Sequence, residues 1–292
     1  MRIGLSAHPR KPEAQALARD ALARIGDRAE VVLSTESAGV APERPHVPLE
    51  ALAADVLVSI GGDGTFLYAL RRSAVPLLPI NAGTVGVLAE IDARRPGELD
   101  AALERVLAGR YTLEERMKLS AEAGRVRLPD VTNDYVVHAD QVGKMGLFEI
   151  AIDGTVLGRI RADGLIFATP TGSTAYSLSS YGPILDPAVE GIVVTAIAPF
   201  RAGARALVVD PLKSVTVRAL EEDGGAVVLL DGQETVAVDH DVPVTVARSP
   251  RHATLVRFGT PFFDRLRNKR ILPWNEEFAA PGGSVADLPP RP

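Results

Sequence analysis

Along the first hundred positions, apolar residues recur with two alternating periods. Residues 2–7 form a short, largely apolar run, as expected of a strand buried on both faces. Over residues 11–25 the apolar positions fall at Ala14, Leu17, Ala18, Ala21, Leu22 and Ile25. That is the 3.6-residue spacing of a helix, and Gly26 is suited to end it. Residues 29–33, 55–60 and 77–80 read as further strands. Residues 66–72 and 96–108 read as helices, with Pro96 in the first turn of the second. Pro42, Pro45 and Pro48 mark a loop. Strand and helix in alternation predict a parallel sheet covered on both faces.

The period changes near Tyr111. Residues 119–123, 126–128, 134–137, 146–152, 156–161 and 165–169 are short strand patterns separated by turn signals such as Asp153-Gly154 and Asp163-Gly164. After a predicted helix at 173–180, strands resume at 192–198, 206–209, 214–219, 226–230, 235–238, 242–247 and 254–257. A last helix is predicted over 261–270, with Phe262, Phe263, Leu266 and Ile271 to dock it on the first half. The expected organisation is α/β + β: an α/β domain at 1–110, a β-rich domain at 111–260, the C-terminal helix within 261–278, and a Pro/Gly/Ser-rich disordered tail at 279–292.

Composition narrows the function. The 292 residues suit two domains at about 150 residues each. The 37 acidic against 32 basic side chains argue against a non-specific nucleic-acid coat, which draws on clustered Lys and Arg. With no cysteine, disulfides, thiolate metal sites and a cysteine nucleophile are excluded. The longest apolar runs, at 53–60 and 191–199, are strand-sized, so no membrane association is expected. The N-terminus has no signal-peptide pattern, and a cytoplasmic protein is the simplest reading. The five histidines fall at no metal-ligand spacing, so no protein-only metal site is expected.

The strongest local signal is Gly61-Gly62-Asp63-Gly64-Thr65, directly after an apolar strand and before a helix. Ligands bind at the carboxyl ends of parallel strands. Glycines permit positive φ and let backbone N–H groups approach a phosphate, and Thr65 is placed to cap the helix. The alternative is a tight turn in which Asp63 only caps. The motif is neither a P-loop nor the Gly-x-Gly-x-x-Gly fingerprint. A second Gly-rich turn, residues 81–86, ends the next strand and is expected to face the first; read alone, it is more simply a structural turn.

Three further stretches stand out. Asn133-Asp134 opens a strand, and such a pair either holds the two hydroxyls of a ribose or makes a turn. From Asp163 to Ser177 a turn and an apolar strand lead into the hydroxyl-rich Thr169-Pro170-Thr171-Gly172-Ser173-Thr174-Ala175-Tyr176-Ser177. Capping needs one hydroxyl, so the excess points to a ligand. Asp231-Gly232-Gln233, between two strands, reads as a hairpin turn.

In this order, on a chain of this length, these motifs resemble those of the NAD kinases, over nearly the whole span from Arg2 to Trp274. The Gly-Gly-Asp-Gly-Thr loop is shared with diacylglycerol and sphingosine kinases, whereas the Thr-Pro-Thr-Gly-Ser-Thr-Ala-Tyr-Ser run is much more specific to the family. The resemblance implies a Rossmann-like α/β domain followed by a β-sandwich-like domain, with NAD between them. It implies a phosphotransferase acting on an alcohol group, which moves the terminal phosphoryl group of ATP, or of polyphosphate in some members, to the 2′-hydroxyl of the adenosine ribose. By the same resemblance Asp63 takes the proton from that hydroxyl, and Asn133 and Asp134 hold the adenosine part. The resemblance further implies that Asp163, Thr171, Thr174, Ala175, Tyr176, Ser177, Leu178 and Ser179 contact the dinucleotide. Gly64, Lys144, Arg161, Ala198 and Gln233 stand at further ligand contacts. ATP brings Mg²⁺, and the family assembles as homodimers or homotetramers.

The chain departs from the family pattern in three places. Tyr181-Gly182-Pro183-Ile184 replaces a more usual Gly-Gly-Pro-Ile, Ala198-Pro199-Phe200 stands where many members have Pro-His, and Asp134 replaces the commoner Glu. Two other functions fit the loop alone: a lipid or sugar kinase, and a non-catalytic nucleotide-binding regulator.

Overall fold

The computed structural model describes residues 1–83, 86–141, 143–201, 203–220, 224–269 and 271–272. The first half comprises β1 (Arg2–Ala7), α1 (Pro12–Ile25), β2 (Glu30–Ser34), β3 (His46–Val47), β4 (Val56–Gly61), α2 (Asp63–Arg72), β5 (Leu77–Asn81), β6 (Ile91–Asp92) and α3 (Glu98–Leu107). Strands then dominate: β7 (Thr112–Ala123), β8 (Val126–Val131), β9 (Asp134–Ala139), β10 (Gly146–Ile152), β11 (Thr155–Ala162) and β12 (Gly164–Ala168). After the short α4 (Tyr176–Ser179) come β13 (Ile192–Ile197), β14 (Leu207–Val209), β15 (Val215–Ala219), β16 (Ala226–Leu230), β17 (Glu234–Val238), β18 (Val244–Arg257) and α5 (Phe262–Asn268).

Strands β2, β1, β4 and β5 pair in parallel. Alternate residues go to opposite faces, which is why these strands are apolar throughout. Val56, Val58 and Ile60 pack with Ala14, Ala18, Leu99 and Leu103 under α1 and α3. Leu57 and Leu77 pack with Phe66, Leu67 and Leu70 under α2.

The two halves share a sheet. Strand β18 pairs antiparallel with β7 and β15, and its end pairs parallel with β5, Leu255 opposite Leu77. One 12-stranded sheet therefore runs β11-β10-β15-β18-β5-β4-β1-β2-β3, with β6, β7 and β8 off this path. A 6-stranded antiparallel sheet, β14-β13-β12-β9-β16-β17, lies against its β-rich end. The core between them joins Tyr135, Phe167 and Leu230 to Phe148, Val217 and Val246. A mixed α/β sheet followed by a β-rich antiparallel sheet is the expected class. Among the described residues no helix is long and apolar enough to cross a membrane.

Several boundaries differ from the sequence reading. The patterns at 242–247 and 254–257 are one strand of 14 residues, interrupted by a register shift between Arg248 and His252. Pro250 cannot donate to the ladder, and the bulge absorbs it. Helix α3 starts at Glu98, because Gly97 before it has φ 79°, which leaves Pro96 outside. The Pro-rich stretch contributes β3 to the sheet edge beside β2. The helix expected at 173–180 is a 3₁₀ turn, Gly172–Thr174, followed by the 4-residue α4. Arg270 of the last predicted helix and the predicted tail at 279–292 lie outside the described residues.

Helix α4 ends on Tyr181, which has φ 65° and is 97% exposed, and whose N–H donates to the Leu178 carbonyl at 3.0 Å. A left-handed residue here completes the C-cap, which explains why glycine is usual at this position. For tyrosine the conformation costs about 1–2 kcal/mol, and glycine's larger unfolded-state entropy offsets part of that. Tyr181→Gly is therefore expected to raise unfolding stability by up to about 1 kcal/mol, read from the urea midpoint. A loss of stability would contradict this account.

Candidate active site

The loop from β4 into α2 is shaped by close approach. None of Gly61, Gly62 and Gly64 has positive φ, so their left-handed freedom goes unused. A Cβ on Gly61 would lie 2.3 Å from the Thr65 Oγ1, and that contact demands glycine. The helix begins at Asp63 with Gly62 as N-cap and no side-chain cap, so Thr65 does not cap it. Its buried Oγ1 has no partner among the described residues. The half-buried Asp63 carboxylate accepts the Val87 N–H at 2.8 Å and the Leu88 N–H at 3.1 Å, which fixes its orientation. The Leu88 carbonyl in turn accepts from Arg257 at 3.0 Å.

Asn133-Asp134 is held from below by Asp231, whose local sequence predicts only a hairpin turn. Asp231 and Gly232, at φ 49° and 64°, close the β16–β17 hairpin, with the Gln233 N–H on the Leu230 carbonyl at 2.9 Å. The Asp231 carboxylate also accepts the N–H groups of Thr132 (3.2 Å), Asn133 (2.7 Å) and Asp134 (3.2 Å). The local signal, Asp-Gly between strands, reports only the turn. Burial pushes the Asp231 carboxyl up despite these amides. Burial, and then the charge of Asp231, pushes Asp134 up to about 7.

The same hairpin reaches α2. Gln233 Nε2 donates to the Gly64 carbonyl at 2.5 Å. Arg71 donates to the Leu230 carbonyl at 3.3 Å and pairs with Glu234 at 2.8 Å. Asp63 and Gly64 are thus tied through Gln233 and Asp231 to Asn133 and Asp134. The Asn133 Oδ1 is buried with no partner among the described residues.

The hydroxyl-rich loop packs on the same pair. The Thr169 N–H donates to the Asn133 carbonyl at 2.8 Å, and its hydroxyl donates to the Thr132 carbonyl at 2.6 Å. Gly172 presses so closely that a Cβ would sit 2.1 Å from the Asn133 oxygen. Ser173 bridges the Pro170 carbonyl (2.6 Å) and the Leu185 N–H (3.0 Å), and Thr174 donates to the Thr171 carbonyl at 3.1 Å. Ser177 bonds Thr195 at 3.0 Å, and the Thr171 hydroxyl accepts from Arg116 at 3.2 Å. The hydroxyls therefore build the loop and tie it to the strands around it, and Ser173 and Thr174 do not cap α4. Tyr176 and Ser179 are exposed, and Ala175 and Leu178 half-buried.

Lys144, Arg161, Asp163 and Ala198 lie elsewhere. Ala168 stands opposite Asp134 across β12 and β9, and Gly164 opposite His138, so Asp163 is at the far end. Four residues of strand, roughly 13 Å, separate the groups. There the Asp163 carbonyl accepts the Ala139 N–H at 2.9 Å, and the Arg161 carbonyl accepts the Phe200 N–H at 2.9 Å. Ala198 is exposed at φ 43°, and Lys144 lies beside Gly224 and Gly225. The two Gly-rich turns do meet: the Ala82 N–H donates to the Gly61 carbonyl at 2.7 Å. A cavity of about 510 Å³ lies beyond them, lined by Asn81, Gly86, Ala89 and Lys269 among others, rather than over Asp134.

Residues 3–111 match the family model of the ATP-NAD kinase N-terminal domain, and residues 132–258 that of the C-terminal domain. The chain belongs to the NAD kinase family. It is an enzyme that phosphorylates NAD. The NAD kinase of Methanosarcina mazei is 34% identical over 274 residues, 92% of this chain and 93% of that one. That of Methanopyrus kandleri is 39% identical over 249 residues, 84% and 87%. A crystal structure of an NAD kinase from Archaeoglobus fulgidus in complex with ATP superimposes with a TM-score of 0.74 at 28% identity, covering 93% of this chain and all of that one. Yeast NADH kinase complexed with NADH shares the fold, with a TM-score of 0.83 at 22% identity over 93% and 87% of the two chains.

The raised Asp134 carboxyl has a consequence for stability. Its folded pKa, about 7, exceeds the ordinary 3.8, so the native state holds this proton more tightly than the unfolded chain. That contribution is complete below pH 4 and is lost as pH rises from about 4 to 7, a change of the order of a few kcal/mol. Asp134→Asn is expected to flatten the pH dependence of stability across this window and to leave the variant more stable than wild type at pH 8. Parallel stability–pH curves for the two proteins would refute it.

Proposed function

We propose that the chain transfers the terminal phosphoryl group of ATP to the 2′-hydroxyl of the adenosine ribose of NAD, giving NADP, with Asp63 as general base. The observation that carries this is the β16–β17 hairpin, which holds the Asp63 helix and the Asn133-Asp134 pair to one piece of backbone. Two amides orient the Asp63 carboxylate, and its remaining lone pairs are free to accept a hydroxyl proton. Asn133 and Asp134 hold the ribose and adenosine polar groups, and Gly172 and Thr174–Ser179 form the wall beside them. Phosphoryl transfer needs mainly positioning and charge neutralisation, which suits a site without a protein nucleophile. ATP as donor, rather than polyphosphate, is supported by the Archaeoglobus relative, which binds ATP. Mg²⁺ enters as part of the Mg–ATP substrate, on phosphate and water oxygens.

Lys144, Arg161, Asp163 and Ala198 form a second contact group at the far end of β9 and β12. The reading that uses both groups is a homodimer or homotetramer in which one chain's far end meets a neighbour's ligand. Phe200, Leu207 and Val208, exposed at or beside the edge strand β14, supply apolar surface for such contact.

Two measurements test the reading. Wild-type protein given NAD and Mg–ATP is expected to form NADP, and Asp63→Asn to lower turnover by about two to three orders of magnitude while still binding NAD. Near-full turnover in the variant would remove Asp63 from its role. Light scattering on the active protein is expected to give two or four times the 30.9 kDa of one chain. A fully active single chain would overturn the shared site.

A further inference from the structure

We propose that Lys11 binds the phosphate chain of the donor nucleotide, over the backbone faces of Gly62 and Gly83. The proposal rests on the phosphoryl-transfer reading and deepens it. Lys11 lies in the loop from β1 into α1, outside every motif singled out in the sequence. That loop is stitched to the end of β4, because the His8 N–H donates to the Ile60 carbonyl at 3.0 Å. Gln15 fixes it from behind, its Nε2 donating to the carbonyls of His8 (3.0 Å) and Glu36 (3.3 Å). Lys11 is thereby held at the carboxyl edge of the parallel strands, beside the Asp63 loop.

A Cβ built on Gly62 would lie 4.0 Å from the Lys11 Nζ, and one built on Gly83 would lie 3.8 Å from it and 3.9 Å from the Gly62 Cα. The ammonium thus stands over two abutting stretches of bare backbone. Among the described residues its ammonium has no carboxylate within 4.0 Å and donates no hydrogen bond, unlike the basic side chains at the other end of α2. Arg71 and Arg72 share Glu234, and Lys118 donates to the Leu70 carbonyl at 2.9 Å. The Asp63 carboxylate, engaged by Val87 and Leu88, does not pair with it either. Helices α1 and α2 both begin at this edge, so their positive ends add to an uncompensated cation. His8 feels the same field: burial, and then the charge of Lys11, pushes its imidazole down.

An anion satisfies this arrangement, and one seated here lies next to Asp63, where the transferred group must be. Lysine offers a compact charge with three donors, suited to the spread oxygens of a triphosphate. Its role is to hold the donor and offset phosphate charge, while the acceptor's proton goes to Asp63.

Lys11→Met keeps the length and removes the charge. It is expected to raise the KM for ATP at least about tenfold, to leave the KM for NAD within about twofold, and to leave the Tm unchanged, since the side chain has no partner to lose. Inorganic tripolyphosphate, titrated by calorimetry, is expected to bind wild type and to lose about tenfold in affinity in the variant, with partial recovery in Lys11→Arg. Gly83→Ala, whose methyl would meet nothing nearer than 3.5 Å, fills the gap and should raise the same KM. An unchanged KM for ATP, an equal rise for NAD, or unaltered tripolyphosphate binding would each overturn the role of Lys11. Failure of wild type to make NADP would instead sink the phosphoryl-transfer reading, and the tripolyphosphate titration would still judge Lys11.

Discussion

One buried cation holds the two halves in register. Arg257, the last residue of β18, is 4% exposed, pairs with Glu90 at 3.1 Å and bonds the Glu114 carboxylate. Burial alone would raise the Glu114 carboxyl, but Arg257 and Arg116 outweigh it and hold it below the usual carboxylate range. Removing one partner from such a network leaves an uncompensated buried charge, at a cost of about 3–5 kcal/mol. Its reach matters as much as its energy. Through the Leu88 carbonyl it sets the loop whose amides orient Asp63, and through Glu114 and Arg116 it reaches the Thr171 hydroxyl.

Around that clamp the site is assembled from backbone more than from side chains. Amides hold Asp63, and the Asp231 carboxylate gathers three N–H groups beneath Asn133-Asp134. The serines and threonines of the 169–177 loop spend their hydrogen bonds on the loop and on Thr132, Leu185, Thr195 and Arg116 around it. The cost is concentrated in two buried carboxyls, Asp134 and Asp231, both pushed up by burial. A rigid backbone frame that carries a few expensive polar groups is a common compromise between stability and ligand binding.

The alternation of helix and strand, the change of period near Tyr111 and the bare Gly61–Thr65 loop were all legible in the chain, because each is a matter of local spacing and local sterics. The specific hydroxyl-rich run was legible too, but its chemistry was not. Counting hydroxyls could not tell a lining from a scaffold, since that depends on whether carbonyls from Thr132, Pro170 and Thr171 come within reach. Asp231 read as a turn and proved to be the residue under Asn133, and Lys11 gave no local sign of its place above Gly62.

Periodicity and glycine placement along the chain thus settled the element types, the class of fold and the loop that presents Asp63, since these follow from forces acting over a few residues. Contact between distant segments settled the rest: Gln233 meets Gly64 across 169 positions, Asp231 meets Asn133 across 98, and β18 crosses from one half into the other. Such pairings are selected by global packing and by the expense of leaving a buried charge or amide without a partner. No short window of sequence carries that information.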